Sequence, residues 1–135
     1  MKTSQNAFLL TIMSGAAALL LWGCATTPSV IPDNLSITEI FQRAQDASDK
    51  SDYSLAVTYY SLTAKNYPDD AAHIAWASYE IAFLYHKMGK NDTALSLVND
   101  LLDRYAKAGD TLPAAPRVLA EKLKTRLQAL APVKK

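Results

Sequence analysis

The stretch "AWASYEIAFLY", Ala75 to Tyr85, carries a single charge, Glu80, in eleven residues. Small and large apolar side chains occur at nearly every angle around a 3.6-residue turn, so no polar face is left for water. A helix of that kind belongs in the middle of a bundle, with neighbours on two faces. The sequence predicts it over about Asp70 to Met88, with Gly89 in the left-handed position that ends it.

Reading outward, four further helices are expected. The first has a capping box, Ser36 with Glu39, in which each side chain satisfies a free backbone N–H of the opening turn. Leu35 and Ile40 stand at the staple positions around it, and this helix is predicted to reach about Ser48. The second starts after Asp52, a good cap. It carries Leu55, Tyr59 and Leu62 on one stripe with Ala56, Tyr60 and Ala64 beside it, and Pro68 closes it by disfavouring helical geometry at Tyr67. The fourth runs from about Asp92 to Lys107 and is expected to bury Ala94, Leu95, Val98, Leu101, Leu102 and Tyr105. Gly109 and Pro113 then interrupt the chain. The fifth, about Ala114 to Leu130, places Leu119, Leu123, Leu127 and Leu130 on a stripe, with Arg117, Lys124 and Arg126 as a polar outer face. Alternation with period two is never sustained, so the fold class is all-α.

The middle helices form two hairpins that repeat. "DKSDYSLAVTYYSLTAKNYP" echoes "KMGKNDTALSLVNDLLDRYA", aligning Ala56 with Ala94, Tyr60 with Val98 and Tyr67 with Tyr105 at an offset of 38 residues. With Ile81-Ala82, Tyr85, Gly89 and Ala94 at the matching spacings, this resembles the tetratricopeptide repeat, a helix–turn–helix unit of about 34 residues. Small residues at Ala82 and Ala94 let paired helices approach, while Tyr85 fills the space near the turn. The first copy keeps Ala44, Ala56 and Pro68 but has Arg43 and Ala47 where the family has leucine and tyrosine. The resemblance covers about residues 37–105. Two repeats are fewer than such stacks usually need, so the fifth helix is expected to cap the open side, dimerisation being the other way to cover it.

The amino terminus indicates an address. Lys2 precedes an apolar run of fifteen residues, Ala7 to Leu21, that carries no charge. A membrane-spanning helix needs ~20, whereas a basic end and a short apolar core are the parts of a secretory signal peptide. The run Leu21-Trp22-Gly23-Cys24 resembles the lipobox of bacterial lipoproteins, apart from Trp22 at a position where small residues are commoner. The resemblance implies that residues 1–23 are a signal, that the Cys24 thiol is alkylated with diacylglycerol, and that acyl chains then hold the protein on a membrane. The alternative is an uncleaved anchor. Ala25, where aspartate would retain a lipoprotein at the inner membrane, implies the outer membrane and a body facing the periplasm. Cys24 is the sole cysteine of the chain, so no intrachain disulfide is possible. Residues 24–34, with two prolines, are expected to be a lipidated tether, residues 35–130 the helical domain and residues 131–135 a basic tail.

Composition excludes more than it selects. From Cys24 onward the chain has thirteen basic and thirteen acidic residues, so nucleic acid is not an expected partner. The balance is uneven, −5 over residues 24–116 and +5 over residues 117–135. That basic end is either a solvated face or a meeting point for an acidic partner, anionic lipid or cell-wall polymer. No catalytic constellation assembles. His73 and His86 lie about 220° apart around their helix and cannot share a metal, and no glycine-rich phosphate loop occurs. Neither cofactor nor metal is expected. The family resemblance instead implies a peptide-holding groove lined by Trp76, Tyr79, Phe83 and His86 of the second repeat, with Phe41, Thr38 and Gln45 from the first. The alternative is that this aromatic stripe is core. The expected role is therefore a lipid-anchored adaptor holding a segment of an envelope complex in secretion, pilus or outer-membrane assembly. A non-catalytic regulator of peptidoglycan synthases or hydrolases is the second reading.

Overall fold

A computed structural model describes residues 31–130. The signal-like segment, Cys24, the start of the tether and the basic tail lie outside them. Among the described residues there are five α-helices and no strand: α1 (Ile37–Asp49), α2 (Tyr53–Asn66), α3 (Ala71–Lys87), α4 (Asn91–Ala108) and α5 (Ala114–Leu130), with a 3-10 turn at Gly109–Thr111. Each helix packs on its sequence neighbours, and α3 also meets α5. The protein is all-α.

The central position of α3 follows from its apolar circumference. Ala77 and Leu84 enter one core cluster with Ile40, Ala44, Ala56 and Tyr60. Ala75 and Ala82 enter a second with Ala94, Val98, Leu101, Ala120 and Leu123. One helix therefore closes two cores. The 38-residue echo is reproduced in the packing, since Ala44 and Ala56 in the first hairpin and Ala82 and Ala94 in the second are all 0% exposed. Their missing side-chain bulk is what allows close helix approach.

Two buried faces differ from the expected stripes. On α2 the buried line is Ala56, Tyr59, Tyr60 and Thr63, while Leu55 and Leu62 are half-buried and Ala64 is exposed. The cause is that α2 lies against both α1 and α3, which centres its buried face between the two stripes. On α5 the line is Pro116, Ala120, Leu123 and Leu127; Leu119 is half-buried and Leu130 is 56% exposed. That helix has its neighbours, α4 and α3, along one side, and steps of four, three and four keep the buried line facing them. On α4, Leu95 and Leu102 are half-buried instead of fully enclosed.

The turns within the two hairpins are built alike. After α3, the Gly89 N–H donates to the His86 carbonyl and the Lys90 N–H to the Tyr85 carbonyl, with Gly89 at φ +74°. These are the paired bonds of a Schellman ending. After α1, Ser51 and Asp52 repeat the pattern onto Ser48 and Ala47, but Ser51 holds the left-handed position at φ +61°. An L side chain there costs about 1–2 kcal/mol. The next residue shows the reverse asymmetry. Asp52 accepts from the Leu55 N–H and caps α2, whereas Lys90 at the equivalent place gives α4 no side-chain cap. Each turn thus has one well-suited residue and one poor one. Ser51→Gly is expected to raise stability by about 1 kcal/mol. Lys90→Asp should add about 0.5–1 kcal/mol through its cap, less the cation–π contact that Lys90 makes 5.6 Å from the Tyr85 ring centroid. Thermal melts would check this, with Ser51→Gly expected several degrees above the parent and Lys90→Asp much less so, since the lost cation–π contact offsets most of its cap.

The chain ahead of α1 is tied down before the helix begins. Ser36 and Glu39 form the expected capping box, and the hydrogen bonds from Ser36 hold the Glu39 carboxyl below the usual carboxylate range. Ile31 packs on the first cluster, Lys65 pairs with Asp33 at 3.0 Å, and the Tyr67 phenol donates to the Leu35 carbonyl. Tyr105, the repeat equivalent of Tyr67, donates instead to the Pro113 carbonyl ahead of α5. In both hairpins a tyrosine near the end of the second helix fastens an adjoining loop.

Candidate binding surface

Trp76, Tyr79, Phe83 and His86 share one face of α3 because their spacing of three and four residues keeps them in register with the helical turn. All four are half-buried. The Tyr79 and Phe83 rings stack with centroids 6.2 Å apart and planes at 19°, and His86 follows at 6.4 Å from Phe83. Tyr79 and Phe83 also rest on the second core cluster. The face is therefore a core margin with ring surface still open, combining features of both sequence readings.

Phe41 does not join this set. Its ring stands edge-on to Tyr60 at 5.2 Å and to His73 at 5.7 Å, packed on the first cluster instead. Trp76 belongs to neither cluster. Thr38 and Gln45 are exposed on α1, and the Gln45 amide donates to Asp49 at 2.9 Å. His86 Nδ1 lies 2.8 Å from Asn91 Oδ1, which commits the imidazole to bracing the α3–α4 turn. His73 is engaged likewise with Asp70, also at 2.8 Å. No group of three or more potential metal-ligating side chains occurs among the described residues.

Two rings of the face, Tyr79 and Phe83, meet α5. Tyr79 and Phe83 form one wall of a trough of about 230 Å³ whose other wall is Leu119, Lys122, Leu123 and Arg126. Burial pushes the Tyr79 phenol up from its ordinary value, Glu80 adds to this, and Arg126 opposes it. The phenol is therefore a neutral hydrogen-bond donor at physiological pH. Glu80, the single charge of the apolar run, is also raised by burial. The contribution of Lys122, Leu123 and Arg126 to this trough was not legible from the aromatic stripe, because they lie about forty residues further along the chain. The basic character of the last helix was the one available signal. The trough offers ring faces, aliphatic side chains and cations, which together suit binding.

No helix among the described residues is long and apolar enough to cross a membrane. No protein-family model matches the chain, and no solved structure matches it. Two curated relatives are similar to it. An uncharacterized protein of Treponema pallidum (strain Nichols) is 26% identical over 98 residues, 70% of this chain and 39% of that protein. The outer membrane protein assembly factor BamD of Neisseria meningitidis serogroup B (strain ATCC BAA-335 / MC58) is 29% identical over 96 residues, 67% of this chain and 34% of that one. The chain thus spans little more than a third of the length of either relative, and what it resembles is a portion of each.

Proposed function

We propose that this protein is a lipid-anchored, non-catalytic adaptor of tetratricopeptide type, placed at the periplasmic side of the outer membrane, where it holds a segment of an outer-membrane assembly complex. The observation that carries this reading is the similarity to an outer membrane protein assembly factor across 67% of the chain. Support comes from two independent features. The lipobox-like run ending at Cys24 suits the same membrane. The repeated hairpins with a half-buried aromatic face suit a partner's side chains better than a reaction, because no nucleophile, base and oxyanion donor converge there.

The test is recovery of the partner. The full chain with a carboxy-terminal tag, cross-linked through its lysines in intact cells and purified from detergent-solubilised envelopes, is expected to enrich a subunit of an outer-membrane assembly or secretion complex. The enrichment should exceed an unrelated tagged lipoprotein by about ten-fold, the discrimination that ~1.4 kcal/mol provides. A peptidoglycan synthase or hydrolase in its place would replace the assembly role with the regulatory one. Enrichment of nothing above the control would remove the adaptor reading altogether.

A further inference from the structure

We propose that the trough between α3 and α5 is the docking site for an acidic segment of the partner protein, with an apolar side chain seated against Tyr79 and Phe83 and its carboxylates met by Lys122 and Arg126. The proposal rests on the adaptor reading and names the chemistry of what the adaptor holds.

Four observations converge on this occupant. Lys122 and Arg126 are one turn apart on α5, both exposed, and both line the trough. Neither makes an ion pair among the described residues, while the one acid of α5, Glu121, is engaged by Arg117 at 3.0 Å. The trough therefore carries two uncompensated cations. The remainder of the chain from Cys24 to Pro116 carries −5, so an acidic segment is repelled by most of the body and drawn to this end. The rest of the lining is the stacked Tyr79 and Phe83 rings with Leu119 and Leu123, an apolar surface that cations alone would not require. The volume, about 230 Å³, is below the ~300–1,000 Å³ usual for small-molecule pockets and has room for one or two large side chains.

A photocrosslinking amino acid in place of Leu119, in the full chain expressed in cells, tests this directly. Irradiation is expected to yield an adduct whose partner peptide has a net negative charge. Lys122→Glu with Arg126→Glu should reduce that adduct about ten-fold, because attraction becomes like-charge repulsion. Lys122→Gln with Arg126→Gln should give a smaller loss in the same direction, and circular dichroism of both variants should match the parent. A neutral or basic partner peptide, or an adduct unchanged by charge reversal in folded protein, overturns the proposal. So does an adduct to lipid, which would make this a membrane-facing surface. If the Leu119 position yields no adduct while lysine cross-linking still recovers a partner, the trough is wrong and the adaptor stands. If neither recovers one, the adaptor reading falls and takes the trough with it.

Discussion

Leu101→Ala is expected to cost about 3 kcal/mol of stability and to lower the melting temperature by more than ten degrees, in one transition. Leu101 is fully enclosed in the second cluster among residues of α3, α4 and α5. Truncation there removes apolar contact and leaves a cavity that three helices cannot all close. The single transition is the more telling part. In long repeat arrays each unit interacts only with its neighbours, and one end can unfold while the other persists. Here α3 gives Ala77 and Leu84 to one core and Ala75 and Ala82 to the other, so neither hairpin keeps its packing when α3 is released. Leu84→Ala, which injures the first core, should therefore produce a loss of similar size in a transition of the same shape. Two separated transitions in either variant, followed by circular dichroism, would show that the hairpins fold independently and that the shared helix does not couple them.

The same feature explains what could be read without coordinates. A run apolar on all sides has one physical solution, burial on two faces, so the middle position of α3 was legible from Ala75 to Tyr85. The 38-residue echo was legible because Ala44, Ala56, Ala82 and Ala94 are required to be small wherever helices cross closely. Where a helix has both an exposed side and two unequal neighbours, the expected stripes overlap the buried face only in part. On α2 the buried line takes in Thr63 and leaves Ala64 exposed. Thr63 is the repeat equivalent of Leu101, and its buried hydroxyl has no hydrogen-bond partner, a mismatch no periodicity reveals. The left-handed Ser51 was equally silent, since serine carries no preference for that conformation. At the candidate site, the pairing of Tyr79 with Phe83 follows from helical spacing alone. Their pairing with Lys122 and Arg126 depends on how α5 crosses α3, which local pattern does not determine. Phe41 was grouped with them by its place in the first repeat, whereas its ring is spent on Tyr60 and His73.

Cys24→Ser is expected to have the largest effect on where the protein is found, removing it from the outer-membrane fraction almost completely. In the lipoproteins that Leu21-Trp22-Gly23-Cys24 resembles, the thiol is alkylated first, the signal is cut next, and the new amino terminus is acylated last. A serine hydroxyl at this position is a far weaker nucleophile than a thiolate, so the first step fails and the rest do not follow. The product should be a chain that keeps its first twenty-three residues and carries no diacylglycerol, both visible in the mass of the intact protein. The loss of anchorage is large because each buried methylene contributes ~0.8 kcal/mol, and one diacylglycerol contributes two long chains. The apolar run from Ala7 to Leu21, at fifteen residues, is a poor substitute for the ~20 of a spanning helix. An uncleaved anchor with a coincidental cysteine predicts the opposite: the substitution would change the mass by one atom of sulfur for oxygen and leave the fractionation as it was. That outcome would detach the helical body from the outer membrane, and with it the reason for seeking its partner there.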